Sequence, residues 1–180
     1  MELSSKQKGI KTAVYLLIVA FIALIQNTAG LTLEIGGARC FLLLPVCIIL
    51  GMGEDEAFAG ILGLLGGLLW DMTSAVHLGF NAIFMCVTCF ISAAIVTYIL
   101  RNTFIANFVF STLTVSAYAF LYWLLFIVIK DVKGAELSII YFYFPSALYT
   151  AVLFPLLWVC IYPVKKGLTH LPKPSDLKKF

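Results

Sequence analysis

The sequence predicts an all-α integral membrane protein with six transmembrane helices. Three observations predict it. Of 180 residues, 62% are hydrophobic and only 12% are charged, and the mean hydropathy is +1.05. A soluble domain carries about a quarter charged residues, and one water-soluble core of this length has no room for so much apolar surface. The apolar residues fall into runs bounded by charges or turn residues. The basic residues gather at the chain ends and between the runs, a placement that suits a membrane protein and does not by itself point to nucleic-acid binding.

The runs follow in order. The first crossing covers Thr12 to Ile25 and closes on the polar Gln26-Asn27-Thr28. The second lies within Leu31 to Gly51, with Arg39 near its start and Pro45 inside. The third is Ala57 to Trp70, the fourth Phe80 to Leu100, the fifth Phe104 to Ile129 and the sixth Ile139 to Tyr162. About 20 helical residues cross a ~30 Å hydrocarbon core. The last three runs are long enough, whereas the first and third need local thinning or shielding by neighbours. A re-entrant hairpin made of the second and third would carry Glu54, Asp55 and Glu56 to membrane depth. One central Asp costs ~2.5–3.5 kcal/mol, so two full crossings with that turn in water are favoured. Pro145 and Pro155 mark expected kinks in the sixth run.

Orientation follows from the basic residues. With six crossings, Lys6, Lys8, Lys11, Arg101, Lys165, Lys166, Lys173, Lys178 and Lys179 share one side, and Arg39, Lys130 and Lys133 the other. The richer side is expected in the cytoplasm, with both termini. The expected domains are a six-helix transmembrane unit, 1–164, and a basic cytoplasmic tail, 165–180, drawn to anionic lipid or a cytoplasmic partner. The first run, with Thr28, Ala29 and Gly30 after it, has the outline of a signal peptide, but no clear A-x-A site follows.

The stretch Gly60-Ile-Leu-Gly-Leu-Leu-Gly-Gly-Leu-Leu-Trp-Asp71 carries the strongest pattern. At about 100° per residue, Glu56, Gly60, Gly63, Gly67 and Asp71 share one stripe. Gly63-x-x-x-Gly67 is the small-residue spacing that lets two helix backbones approach closely in lipid. The stripe serves either packing within the chain or a groove for a partner helix. Trp70 suits the membrane interface. Asp71 gains nothing from the dipole at the end of its own helix. It is either an acid in headgroup water or one shared with a donor on a neighbouring helix or partner.

Two polar stripes, Asn81-Thr88-Ser92 and Asn107-Ser111-Thr114-Tyr118, are expected to hydrogen-bond between helices, and line a ligand cavity in the rarer case. Tyr141, Tyr143 and Tyr162 read as interface anchors. Cys40, Cys47, Cys86, Cys89 and Cys160 form no disulfide framework, and Cys86-x-x-Cys89 sits in an apolar run where cysteine behaves as a small hydrophobe. His77 and His170 fall on opposite sides and cannot share a metal. No phosphate loop or nucleophile–base arrangement is legible, so catalysis, a cofactor and a metal are not expected.

Gln26-Asn27-Thr28, Leu42-Leu43-Leu44-Pro45, Gly67-Leu68-Leu69-Trp70-Asp71 and Gly79-Phe80-Asn81-Ala82 occur in an order that resembles the rod shape-determining MreD family. The most specific piece is G-L-L-x-D followed by G-x-N-A. That family commonly has Pro-Asp or Pro-Asn before the Leu run; here Arg39-Cys40 stands there instead. The resemblance implies a non-enzymatic scaffold of the bacterial inner membrane that supports rod shape and lateral peptidoglycan synthesis. Implied partners are MreC, MreB and the elongation glycosyltransferase and transpeptidase pair. Gly60, Gly63, Gly67, Asp71 and Asn81 become candidates for partner binding or helix packing. The resemblance also implies a fold similar to the substrate-binding subunits of energy-coupling-factor transporters, and hence an alternative role as a vitamin-type binding subunit. Short, Gly- or Pro-interrupted helices such as the second and third are where transporters bind substrate.

Overall fold

The computed structural model describes residues 5–28, 39–73, 79–129 and 135–169. All regular structure among them is helical: α1 (Ser5–Asn27), α2 (Leu43–Gly51), α3 (Glu56–Asp71), α4 (Phe80–Tyr98) and α5 (Phe104–Trp123). α5 runs on through a π-helical turn, Leu124–Val128. The short α6 (Ala135–Ser138) passes through a second π-helical turn, Ile139–Tyr143, into α7 (Phe144–Thr169). Four stretches are long and apolar enough to cross a membrane: Lys6–Asn27, Phe80–Tyr98, Phe104–Val128 and Tyr141–Thr169.

The centre of the bundle is α2, whose nine residues are all buried. It touches α1, α3, α4, α5 and α7. Its sequence, Leu-Leu-Pro-Val-Cys-Ile-Ile-Leu-Gly, is apolar all round, and a helix of that kind is stable only when enclosed. Pro45 sits in the first turn, where its missing N–H has no intrahelical acceptor to lose.

Other helices hold both ends of α2. Before it, residues 39–42 are not helical. The Arg39 N–H donates to Ser146 Oγ at 3.1 Å, Phe41 N–H to Thr150 Oγ1 at 3.0 Å, and Leu43 N–H to Gln26 Oε1 at 2.8 Å. Irregular backbone inside an apolar bundle requires such partners. After it, Lys165 Nζ donates to the carbonyls of Ile49, at 2.6 Å, and Met52. Asn102 Nδ2 also donates to Met52 O, at 2.9 Å. A cation at a helix C-terminus meets the negative end of the dipole.

These contacts define two ends of the bundle. At one, Lys11 Nζ pairs with Glu54 Oε2 at 2.6 Å and Tyr15 OH donates to Glu54 Oε1 at 3.0 Å. The start of α1, the α2–α3 turn, the α4–α5 link and the end of α7 meet there. At the other end lie Gln26, Asn27, Arg39 and the start of α7, with Asn27 Nδ2 donating to Leu69 O at 3.3 Å. α2 and α3 therefore run the bundle in opposite directions.

Several expected boundaries move. α1 starts ahead of Thr12, because the Lys11 charge is neutralised by Glu54 and the helix need not stop there. α7 passes through Pro155 and Pro163 and continues to Thr169. Lys165, inside this helix, is 5% exposed. Lys130, Lys133, His77 and His170, and the tail with Lys173, Lys178 and Lys179, lie outside the described residues.

Candidate functional site

The glycine stripe of α3 faces α4, the neighbour it touches most closely. A Cβ on Gly63 would lie 2.4 Å from Met85 O and 2.9 Å from Cys89 Cβ. A Cβ on Gly67 would lie 2.4 Å from Ala82 Cα and 2.5 Å from Asn81 O. Only residues without a side chain permit that approach. Gly60 is less tightly held, with Phe90 Cβ at 3.5 Å from its would-be Cβ. Gly66 faces Cys47 of α2. The stripe is thus filled by the protein's own α4. Of the two readings of the stripe, packing within the chain is the one these contacts describe.

Asp71 lies at the end of α3 and is 2% exposed. Its Oδ2 accepts the N–H groups of Gly79 and Ala82, both at 3.0 Å, and Oδ1 accepts that of Asn81 at 3.4 Å. These are the free donors of the first turn of α4, which an acid satisfies while meeting the positive end of the dipole. The acid that gains nothing from its own helix therefore caps the next one. Gly79 adopts φ 94°, a left-handed conformation natural to glycine.

Asn81, 3% exposed, accepts the hydroxyl of Tyr118 on Oδ1 at 2.8 Å. The Tyr118 ring sits among Trp70 (5.0 Å between centroids), Phe41 (5.3 Å) and Phe84 (5.4 Å). Trp70 is buried and packs inward against Phe41 and Tyr118. Gly67, Trp70, Asp71, Gly79, Asn81 and Tyr118 form one clasp that ties the end of α3 to α4 and α5.

The remaining polar positions divide. Asn107, Ser111, Thr114 and Tyr118 are all buried on the inner face of α5, and Tyr118 reaches across to α4. Thr88 and Ser92 instead donate to carbonyls of their own helix, Phe84 O at 2.8 Å and Thr88 O, which spends the hydroxyls locally. Tyr143 is buried and Tyr162 stacks on Trp158 at 4.2 Å, so of the three expected anchors only Tyr141 is exposed. All five cysteines are free, and Cys89 is buried against Gly63. Among the described residues no three His, Cys, Asp or Glu side chains are grouped to hold a metal.

Beside the clasp lies a cavity of about 170 Å³ lined by Gln26, Asn27, Arg39, Phe41, Trp70 and Thr73, among others. Sequence reading missed its construction. The signal was the isolated Gln26-Asn27 pair at the end of an apolar run, which here serves to hold α2 and α3.

Comparison with known proteins finds no matching family model, no matching curated protein and no matching solved structure.

Proposed function

We propose that this protein is an MreD-like, non-enzymatic scaffold subunit of the bacterial cell-elongation machinery, resident in the cytoplasmic membrane. The clasp carries the reading. Gly67, Asp71, Gly79 and Asn81, on which the resemblance rests, are the residues that lock α3 to α4. Polar groups spent on internal hydrogen bonds make a rigid support. The outward faces carry large apolar side chains, including Leu17, Phe21, Val87, Phe90, Leu113 and Val152. With the glycine stripe occupied, contact with the membrane helix of MreC belongs on such outward faces. In this reading α2 and α3 are the second and third of six crossings, shielded by their neighbours. The end rich in lysine faces the cytoplasm, with both termini.

Depletion in a rod-shaped bacterium, followed by microscopy, tests the role. Cells are expected to round up, and an MreC-like protein is expected to copurify in mild detergent. Unchanged rods with no copurifying partner would reject the scaffold.

The alternative, a small-molecule binding subunit of a transporter, draws support from the 170 Å³ cavity beside the irregular residues 39–42. That volume is under the ~300 Å³ at which ligand pockets begin, so this cavity alone does not carry the alternative. A vitamin-sized molecule co-eluting with the pure protein would reverse the order.

A further inference from the structure

A second cavity, of about 350 Å³, lies at the lysine-rich end of the bundle between α1 and the α2–α3 turn. One wall is Lys8, Lys11 and Thr12, which share a face of α1 by their i, i+3, i+4 spacing. The other is Glu54, Asp55 and Phe58. Its size falls within the range of small-ligand sites.

The charges around it sort into two sets. Lys11 and Glu54 satisfy one another at 2.6 Å, and Glu54 also accepts from Tyr15. They are structural and have little charge left to offer. Lys8 and Asp55 stand on opposite walls and form no ion pair with each other. Asp55 is exposed and uses Oδ2 to cap α3 through the Phe58 N–H at 3.3 Å, so Oδ1 is not spent on that cap. What the cavity presents to a guest is one ammonium, one carboxylate and an apolar floor of Phe58 with the lysine stems.

We infer that this cavity seats the headgroup of a phosphatidylethanolamine-type lipid, its phosphate toward Lys8 and its primary ammonium toward Asp55. A zwitterion matches a pair of opposite net charges. An anionic headgroup would meet Lys8 but also the Asp55 carboxylate. A choline headgroup has no N–H to donate to Asp55, and Phe58 alone is not the aromatic cage that quaternary ammonium requires. The lipid tails have a place to go: Leu16 of α1, one turn on from Thr12, and Ile61 of α3, one turn on from Phe58, are exposed and apolar. The cavity lies where the apolar stretch of α1 begins, at Lys6, the depth of a headgroup. The inference is independent of the scaffold role.

Native mass spectrometry of the full chain, released from phosphatidylcholine nanodiscs doped with equal phosphatidylethanolamine and phosphatidylglycerol, tests it. Phosphatidylethanolamine is expected to be retained roughly tenfold over both others, the worth of one charge-assisted contact. Lys8→Gln is expected to lower retention of all three lipids, since each carries the phosphate, and Asp55→Asn to abolish the preference. Asn is as good a helix N-cap as Asp, so the second variant keeps α3 intact. Equal retention of phosphatidylglycerol would show that the cation acts alone and overturn the inference. Equal retention of phosphatidylcholine would show that the ammonium is not read, and would overturn it too. So would an unchanged preference in Asp55→Asn, or undiminished retention in Lys8→Gln. Soluble glycerophosphoethanolamine displacing the bound lipid at the same concentration as a short-chain phosphatidylethanolamine would assign the site to a free solute instead. If a variant does not fold, the comparison of the three lipids on the unaltered chain still decides.

Discussion

The carboxylate of Asp71 accepts the backbone N–H of Ala82 at 3.0 Å, so the last residue of α3 caps the first turn of α4. Asp71→Ala leaves buried donors without an acceptor. The expected loss is about 1–3 kcal/mol, read as a lower melting temperature in detergent. Asp71→Asn is expected to recover part of it, because an amide oxygen still accepts one of the N–H groups.

The glycines of one stripe are expected to answer differently to the same substitution. Gly63→Ala and Gly67→Ala put a Cβ 2.4 Å from backbone atoms of α4, which cannot move aside as a flexible side chain does. Each is expected to cost at least the ~1–3 kcal/mol of an overpacked core. Gly60→Ala meets nothing nearer than 3.5 Å and is expected to be neutral. Size-exclusion profiles and thermal unfolding of the three variants check the ranking; equal behaviour would contradict the packing.

Tyr118→Phe removes the donor to Asn81 and keeps the ring among Trp70, Phe41 and Phe84. Hydrogen bonds between membrane helices average ~0.6 kcal/mol and reach ~1.7. A double-mutant cycle with Asn81→Ala should return a coupling in that range. A coupling of zero would mean the two side chains do not bond.

Lys165→Met keeps the stem but removes the cap on α2. The carbonyls of Ile49 and Met52 lose a charged donor, at an expected cost of about 1.5–3 kcal/mol. Thermal unfolding measures it. Lys6→Met, at an exposed position of α1, is the comparison and is expected to change stability by less than about 0.5 kcal/mol.

Lys11→Met and Glu54→Gln each strand a partner that is nearly buried, with side-chain exposures of 10% and 12%. Single changes at such a pair cost up to about 3–5 kcal/mol. The double variant is expected to be closer to the unaltered protein than the sum of the two singles, which equilibrium unfolding tests.

The helices and the small-residue stripe were legible because both depend on periodicity, which the sequence carries locally. The close approach of Gly63 and Gly67 to another helix was readable from their spacing; that α4 is that helix was not, since nothing in the spacing names a partner. Asp71 was legible as an anomaly only. Its acceptors are matched by backbone N–H groups across a loop, and backbone donors leave no mark in a sequence. Charges misled the boundaries. Lys11 and Lys165 read as stops, whereas Glu54 and the end of α2 absorb them inside the bundle. The brevity of α2 was hidden for the same reason: Ser146 and Thr150, more than a hundred residues on, hold the irregular backbone before it.

That last arrangement bears on how the chain is made. α2 is too short to partition into a bilayer unaided, and α7, made after it, contributes to holding both its ends. Until Ser146, Thr150 and Lys165 have been synthesised, the central rod is held only by Gln26 at its start and Asn102 at its end. Biogenesis therefore waits on α7, and a nascent chain arrested before residue 144 is expected to be a substrate for membrane proteases.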